Sequence, residues 1–91
     1  MTTVRLIITG RVQGVGYRIW AERAALSLDI RGWVRNRRDG SVELLATGDE
    51  DAISRLIEAC RDGPPAAVVA DVAASGAEDD GAAGFSARPT V

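Results

Sequence analysis

Residues 10–18 read Gly-Arg-Val-Gln-Gly-Val-Gly-Tyr-Arg, closely spaced glycines and an arginine lying between an apolar run and a helical pattern. Glycines at 14 and 16 can take positive φ without a Cβ clash, so successive main-chain N–H groups can turn toward one point. The start of the following helix adds unpaired donors and the positive end of its dipole. Arg18 adds a planar, permanently charged fork. Gly14, Gly16 and Arg18, with the amides of Gln13, Val15 and Tyr17, describe a cradle for a small oxyanion such as a phosphoryl group. A nucleotide is not indicated, because no Gly-Lys-Ser/Thr closes the loop and the glycine spacing differs from a dinucleotide fingerprint. Taken alone, the loop reads equally well as a glycine-rich turn with a surface arginine.

A second stretch bears on that choice. Residues 32–48 read as a strand, a tight turn signalled by Asp39-Gly40, and a second strand. Asn36, late in the first of these strands, can hold a water through its amide oxygen or simply cap the hairpin. Together the two stretches resemble the acylphosphatase family, whose patterns are G-x-V-Q-G-V-x-aromatic-R and, later, G-W-V-x-N-x-x-x-G-x-V. Residues 8–18 and 32–48 carry them in order, and Gly84-Phe85 and Arg88-Pro89-Thr90 look like the family's ending. Two departures stand out: Tyr17 occupies a position where phenylalanine is usual, and Asp29 one where glycine commonly closes the first helix. The first asks a buried ring to find a partner for its hydroxyl. The second places a residue with a modest left-handed cost at a helix end.

The resemblance implies a hydrolase that cleaves the carboxyl–phosphate anhydride of a small acyl phosphate, releasing a carboxylate and inorganic phosphate. It implies that Arg18 binds the phosphate and Asn36 orients the attacking water, with no metal and no cofactor. Gln13, Gly14, Val15, Gly16 and Tyr17 are the expected substrate-binding loop. The chain's own inventory is compatible with that chemistry. It has no histidine, no metal-spaced ligands and no nucleophile elbow, so a catalyst here must work by positioning. A carboxylate leaving group, whose acid has a pKa of about 4 to 5, departs without a general acid. Attack at phosphorus through a loose transition state asks for fixed donors and an aligned water. An amide such as Asn36 has no useful proton affinity, so the water's proton is expected to pass to a phosphoryl oxygen of the substrate.

Composition sets the frame. With 91 residues, 46% hydrophobic and 26% charged, the chain fits one soluble globular domain spanning residues 1–91. No run approaches membrane length, and Met1 to Arg5 lacks the build of a signal peptide, so a cytoplasmic monomer without a membrane partner is expected. Cys60 has no internal disulfide partner and reads as a small apolar residue on a helix's inner face. Net charge is only −2, yet residues 1–38 hold eight arginines and two acids while the remainder holds three arginines and eleven acids. That asymmetry would steer a small anion toward the loop. Arg5, Arg23, Arg55 and Arg61 read as solvated surface groups.

The elements that must position these residues follow from periodicity. Val4 to Thr9 reads as a strand buried on both faces, and Tyr17, Ala21, Ala24 and Leu28 share one face of a helix from about Arg18 to Leu28. The hairpin follows, its second strand alternating from Val42. Asp49, Glu50 and Asp51 open a second helix carrying Ile53, Leu56, Ile57 and Cys60, stopped by Gly63-Pro64. Ala66 to Val72 reads as a strand with Val68, Ala70 and Val72 on one side, residues 74–84 as a mobile loop, and Phe85 to Arg88 as a closing strand. The order gives an α+β, ferredoxin-like split βαβ (βαββαβ) sandwich, an antiparallel sheet with two helices on one face. Tyr17 and Trp33 are expected in the core. Two other uses of the fold stay open at this point. One is RNA binding on the sheet, disfavoured because Ser41 to Thr47 has no aromatic and the net charge is negative. The other is a ligand-sensing or protein-interaction domain without turnover. A similar domain also occurs within larger carbamoyl-transfer maturation proteins.

Overall fold

The computed structural model describes residues 1–91. Strand β1 (Thr2–Arg11) leads through a loop into helix α1 (Tyr17–Ser27), followed by β2 (Arg31–Asn36), β3 (Val42–Gly48), α2 (Glu50–Asp62), β4 (Val68–Gly76) and β5 (Phe85–Arg88). The sheet order is β4-β1-β3-β2-β5, antiparallel across its first four strands, as expected for the ferredoxin-like arrangement. The short β5 extends it by pairing parallel to β2. No helix is long and apolar enough to cross a membrane.

Alternation along the strands sends Leu6, Ile8, Val34, Val42, Leu44 and Ala46 to one face, where they pack with Tyr17, Ala21 and Ala25 of α1 and Ile53, Leu56 and Cys60 of α2. Cys60 is fully buried there, as expected. The opposite face carries no helix, and this corrects two expectations, for β1 and for Arg5. β1 is buried on one face only, because Arg5 and Ile7 point to the helix-free side. Trp33 is buried as expected, only 4% exposed, though on the helix-free side, where the guanidinium groups of Arg35 at 4.4 Å and Arg88 at 5.1 Å cover it. Arg5 is not a free surface charge, since its Nε donates to the buried Glu43 at 2.9 Å, matching the 2.9 Å bond from Arg35.

β4 also differs from expectation. It runs on to Gly76, Ala74 to Gly76 pairing with Leu6 to Val4 where a loop was anticipated. Between Thr9 and Gly10 the register slips, so that Asp71 and Val69 face consecutive residues and Ala70 is the extra one. The slip shifts the side-chain phase, leaving Val72 buried and Val69 packed against the core while Val68 stays exposed. Gly10, at φ 119, makes the bulge possible, because a Cβ there would meet the Ala70 nitrogen at 2.6 Å. Residues beyond Gly76 are anchored. Arg31 holds the carboxylate of Asp79 through both terminal nitrogens and Ala82 O at 3.2 Å, and Trp33 Nε1 donates to Asp80 at 2.9 Å.

Candidate active site

The loop between β1 and α1 turns on two left-handed glycines, Gly14 at φ 72 and Gly16 at φ 79, with Val15 between them at negative φ. A Cβ at either glycine would meet nothing within 4 Å, so glycine is required there by conformation and not by space. Alternation of this kind turns consecutive amides the same way. The amides of Gly14 through Ile19 donate to no acceptor in the protein, the first helical bond being Trp20 N to Gly16 O at 3.1 Å. Gly16 occupies the N-cap without a side-chain cap, which leaves the helix end open toward the loop.

The far end of α1 fixes how that helix meets the sheet. Asp29 is the only non-glycine residue at positive φ, 57°, as its position after the helix demands. Ile30 N reaches Ala25 O at 2.9 Å and Asp29 N reaches Leu26 O at 3.2 Å, the paired bonds of a Schellman end, with Ile30 and Ala25 both buried. At the helix start, Tyr17 is buried and its hydroxyl donates to Cys60 O at 2.6 Å. That carbonyl belongs to the last turn of α2, so the tyrosine ties the start of α1 to the end of α2. Burial pushes ionisation of the Tyr17 hydroxyl well above its ordinary value, and burial likewise raises the Cys60 thiol to about 11.

Arg18 projects from the first turn of α1, and Asn36 closes β2 opposite Val42. A cavity of about 120 Å³ is lined by both, together with Val12, Gly14, Gly16, Tyr17 and Ile19. Neither the Arg18 guanidinium nor the Asn36 carboxamide makes a hydrogen bond within the protein, so both remain available at this cavity. Residues distant in sequence thus meet through the sheet order: the loop leaving β1 arrives beside the end of β2. Val15 packs partly against the core and does not line the cavity, which leaves its amide as its contribution. Gln13 does not line it either. Its Nε2 donates to Arg37 O at 2.7 Å and Ser41 O at 2.9 Å, a cross-link to the hairpin that sequence spacing alone does not reveal. Ile19, 58% exposed at the cavity's edge, was not singled out from sequence because an isolated apolar residue carries no signal.

A larger depression of about 270 Å³ on the helix-free face is lined by Arg35, Arg37, Arg38, Asp39, Glu43 and Val91. Its arginines are largely occupied: Arg35 bonds Glu43, and Arg37 lies 3.9 Å from both Asp39 and Glu43. The 120 Å³ cavity, with an unpaired guanidinium, open amides and an unpaired carboxamide, is the one equipped to hold an oxyanion beside a water.

Comparison with known proteins places the chain in one family. The family model described as Acylphosphatase matches residues 4–87. The acylphosphatase of Acidiphilium cryptum is 48% identical over 90 residues, covering 99% of each chain. The crystal structure of acylphosphatase from Bacillus subtilis superposes with a TM-score of 0.93 at 39% identity, over 97% of this chain and 99% of that one. Full-length HypF in its phosphate- and nucleotide-bound form contains a similar unit, matched with a TM-score of 0.87 at 25% identity over 99% of this chain and 12% of that one. A fold superposing on acylphosphatase structures accompanies a family match across most of the sequence, and the chain belongs to the acylphosphatase family of enzymes, which hydrolyse acyl phosphates.

Proposed function

We propose that this chain hydrolyses acyl phosphates by capturing the phosphoryl group in the loop of residues 13–18 and positioning water with Asn36. The observation that carries the reading is the shared cavity, where Arg18 and Asn36 meet with no competing partner within the protein. The amides of Gln13, Gly14, Val15, Gly16 and Tyr17 and the Arg18 guanidinium neutralise charge on the equatorial oxygens. Asn36 Oδ1 accepts a hydrogen bond from the attacking water. The water oxygen bonds to phosphorus as the bond from phosphorus to the acyl oxygen breaks, and the acyl group leaves as a carboxylate. The water's other proton moves to a phosphoryl oxygen, so an acyl phosphate dianion yields a carboxylate and the dihydrogen phosphate anion, which can then lose a proton to solvent. No metal or cofactor takes part.

We read the chain as one domain over residues 1–91, acting as a cytoplasmic monomer on a small molecule. RNA stacking on the sheet finds no support, since β3 has no aromatic and Trp33 is covered by Arg35 and Arg88. Arg18→Ala tests the reading. Benzoyl phosphate hydrolysis, assayed in the presence of a chelator, should fall by roughly 10³-fold or more, and calorimetric binding of inorganic phosphate should be lost with it. Ordinary turnover in that variant, or loss of wild-type turnover on chelation, overturns it.

A further inference from the structure

We propose that Gln13 is a positioning residue for the reaction, setting the register between the phosphate loop and Asn36. The inference rests on the reading of Asn36 as the water-holding group. Both N–H bonds of the Gln13 carboxamide are committed to the hairpin, at 2.7 Å to Arg37 O and 2.9 Å to Ser41 O. These two residues form the hairpin's base, where Arg37 N also donates to Ser41 O at 2.8 Å. Arg37 follows Asn36 directly, and its N–H, in the peptide between the two residues, donates to the same Ser41 carbonyl that Gln13 grips, while Gln13 also holds the Arg37 carbonyl one peptide further on.

No other hydrogen bond links the loop to the hairpin. Pairing of β1 with β3 ends at Ile8 and Val42, and β1 is not a neighbour of β2 in the sheet. From Val12 to Ile19, nothing but the Gln13 side chain bonds to residues 36–42. The two halves of the site therefore sit on separate pieces of chain, cradle on one and carboxamide on the other, tied through β3 at the sheet and, beyond the sheet, by this one two-pronged clasp. A misplacement of about 1 Å between reacting groups costs on the order of 10²-fold in rate. Because the Gln13 side chain is turned to the hairpin and lines no part of the cavity, its effect on turnover passes through Asn36, separately from any contact its main-chain amide makes with the phosphate.

The test uses Gln13→Met, which keeps length and bulk but removes both donors, alone and combined with Asn36→Ala. Turnover of benzoyl phosphate is measured alongside calorimetric binding of inorganic phosphate. Alone, Gln13→Met should lower kcat roughly 10- to 100-fold while the phosphate Kd stays within about 3-fold. In the Asn36→Ala background it should change kcat by less than about 2-fold, since the group it positions is gone. An equal drop in both backgrounds, an unchanged kcat, or a phosphate affinity that falls in step with kcat overturns the proposal. If Gln13→Met does not fold, Gln13→Asn, which withdraws the amide by one methylene, supplies the same comparison. Ordinary turnover in Asn36→Ala by itself refutes the water-holding reading, an outcome distinct from any that Gln13 produces.

Discussion

Removing one hydroxyl, in Tyr17→Phe, probes how the two helices are joined. The Tyr17 hydroxyl is buried and donates to Cys60 O at 2.6 Å, in the last turn of α2, where the final carbonyls lack helical partners. The next carbonyl toward the N-terminus, Ala59 O, is already satisfied by Gly63 N at 2.9 Å, whereas Cys60 O faces the protein interior beside the ring. A phenylalanine leaves that carbonyl buried without a donor, which costs about 1 to 3 kcal/mol, and the hydroxyl's own desolvation, relieved in the variant, returns part of it. A net loss of about 1.5 kcal/mol follows. For a domain of this size that lowers the thermal midpoint by roughly 6–12 °C and, with a urea slope of about 1 kcal/mol per molar, shifts the midpoint by about 1.5 M. Urea titrations of both proteins, followed by far-ultraviolet circular dichroism with matched slopes, measure it. A loss under about 0.5 kcal/mol would refute the argument that this bond caps α2.

Two further predictions concern stability. Asp29→Gly should stabilise by about 0.5 kcal/mol, since the left-handed cost at φ 57 outweighs the extra unfolded-state entropy of glycine, and a lowered thermal midpoint would contradict this. Stability should also fall between pH 9 and 11. Cys60 titrates at 9.0 when unperturbed and at about 11 in the folded protein, so across that window the unfolded chain binds fewer protons and unfolding is favoured by up to roughly 2–3 kcal/mol. Tyr17, also raised by burial, adds a loss of the same sign starting near pH 10. Urea midpoints taken from pH 8 to 11 should decline less steeply in Cys60→Ala, and parallel curves would count against the assignment.

How much of this was legible in the sequence differs from residue to residue. The left-handed turns of the loop could be read because glycines at 14 and 16 announce positive φ, and both take it. Helix α2 was plain from its acidic first turn and its Gly63 stop, which is observed at the C-cap. The extension of β4 was not legible. Ala74, Ser75 and Gly76 have no strand preference of their own and are drawn into the sheet by pairing with β1, while the bulge at Ala70 breaks the alternation that located the rest. Arg5 was misplaced, and the side on which Trp33 is buried was not legible, for a related reason: periodicity separates the two faces of a strand but does not say which one the helices cover. The meeting of Arg18 with Asn36 depends on strand order, which local pattern does not contain. Family resemblance supplied it, and the shared cavity agrees.

The most direct test of the central claim compares what Asn36→Ala and Arg18→Ala each lose. With calorimetry for inorganic phosphate and steady-state hydrolysis of benzoyl phosphate on the same preparations, Asn36→Ala should bind phosphate within about 2-fold of the parent while kcat falls by roughly 10²-fold or more. Arg18→Ala should lose binding and turnover together. If Asn36→Ala loses phosphate affinity as steeply as turnover, the carboxamide is part of the cradle and does not hold the water, and the division of labour argued from this cavity fails.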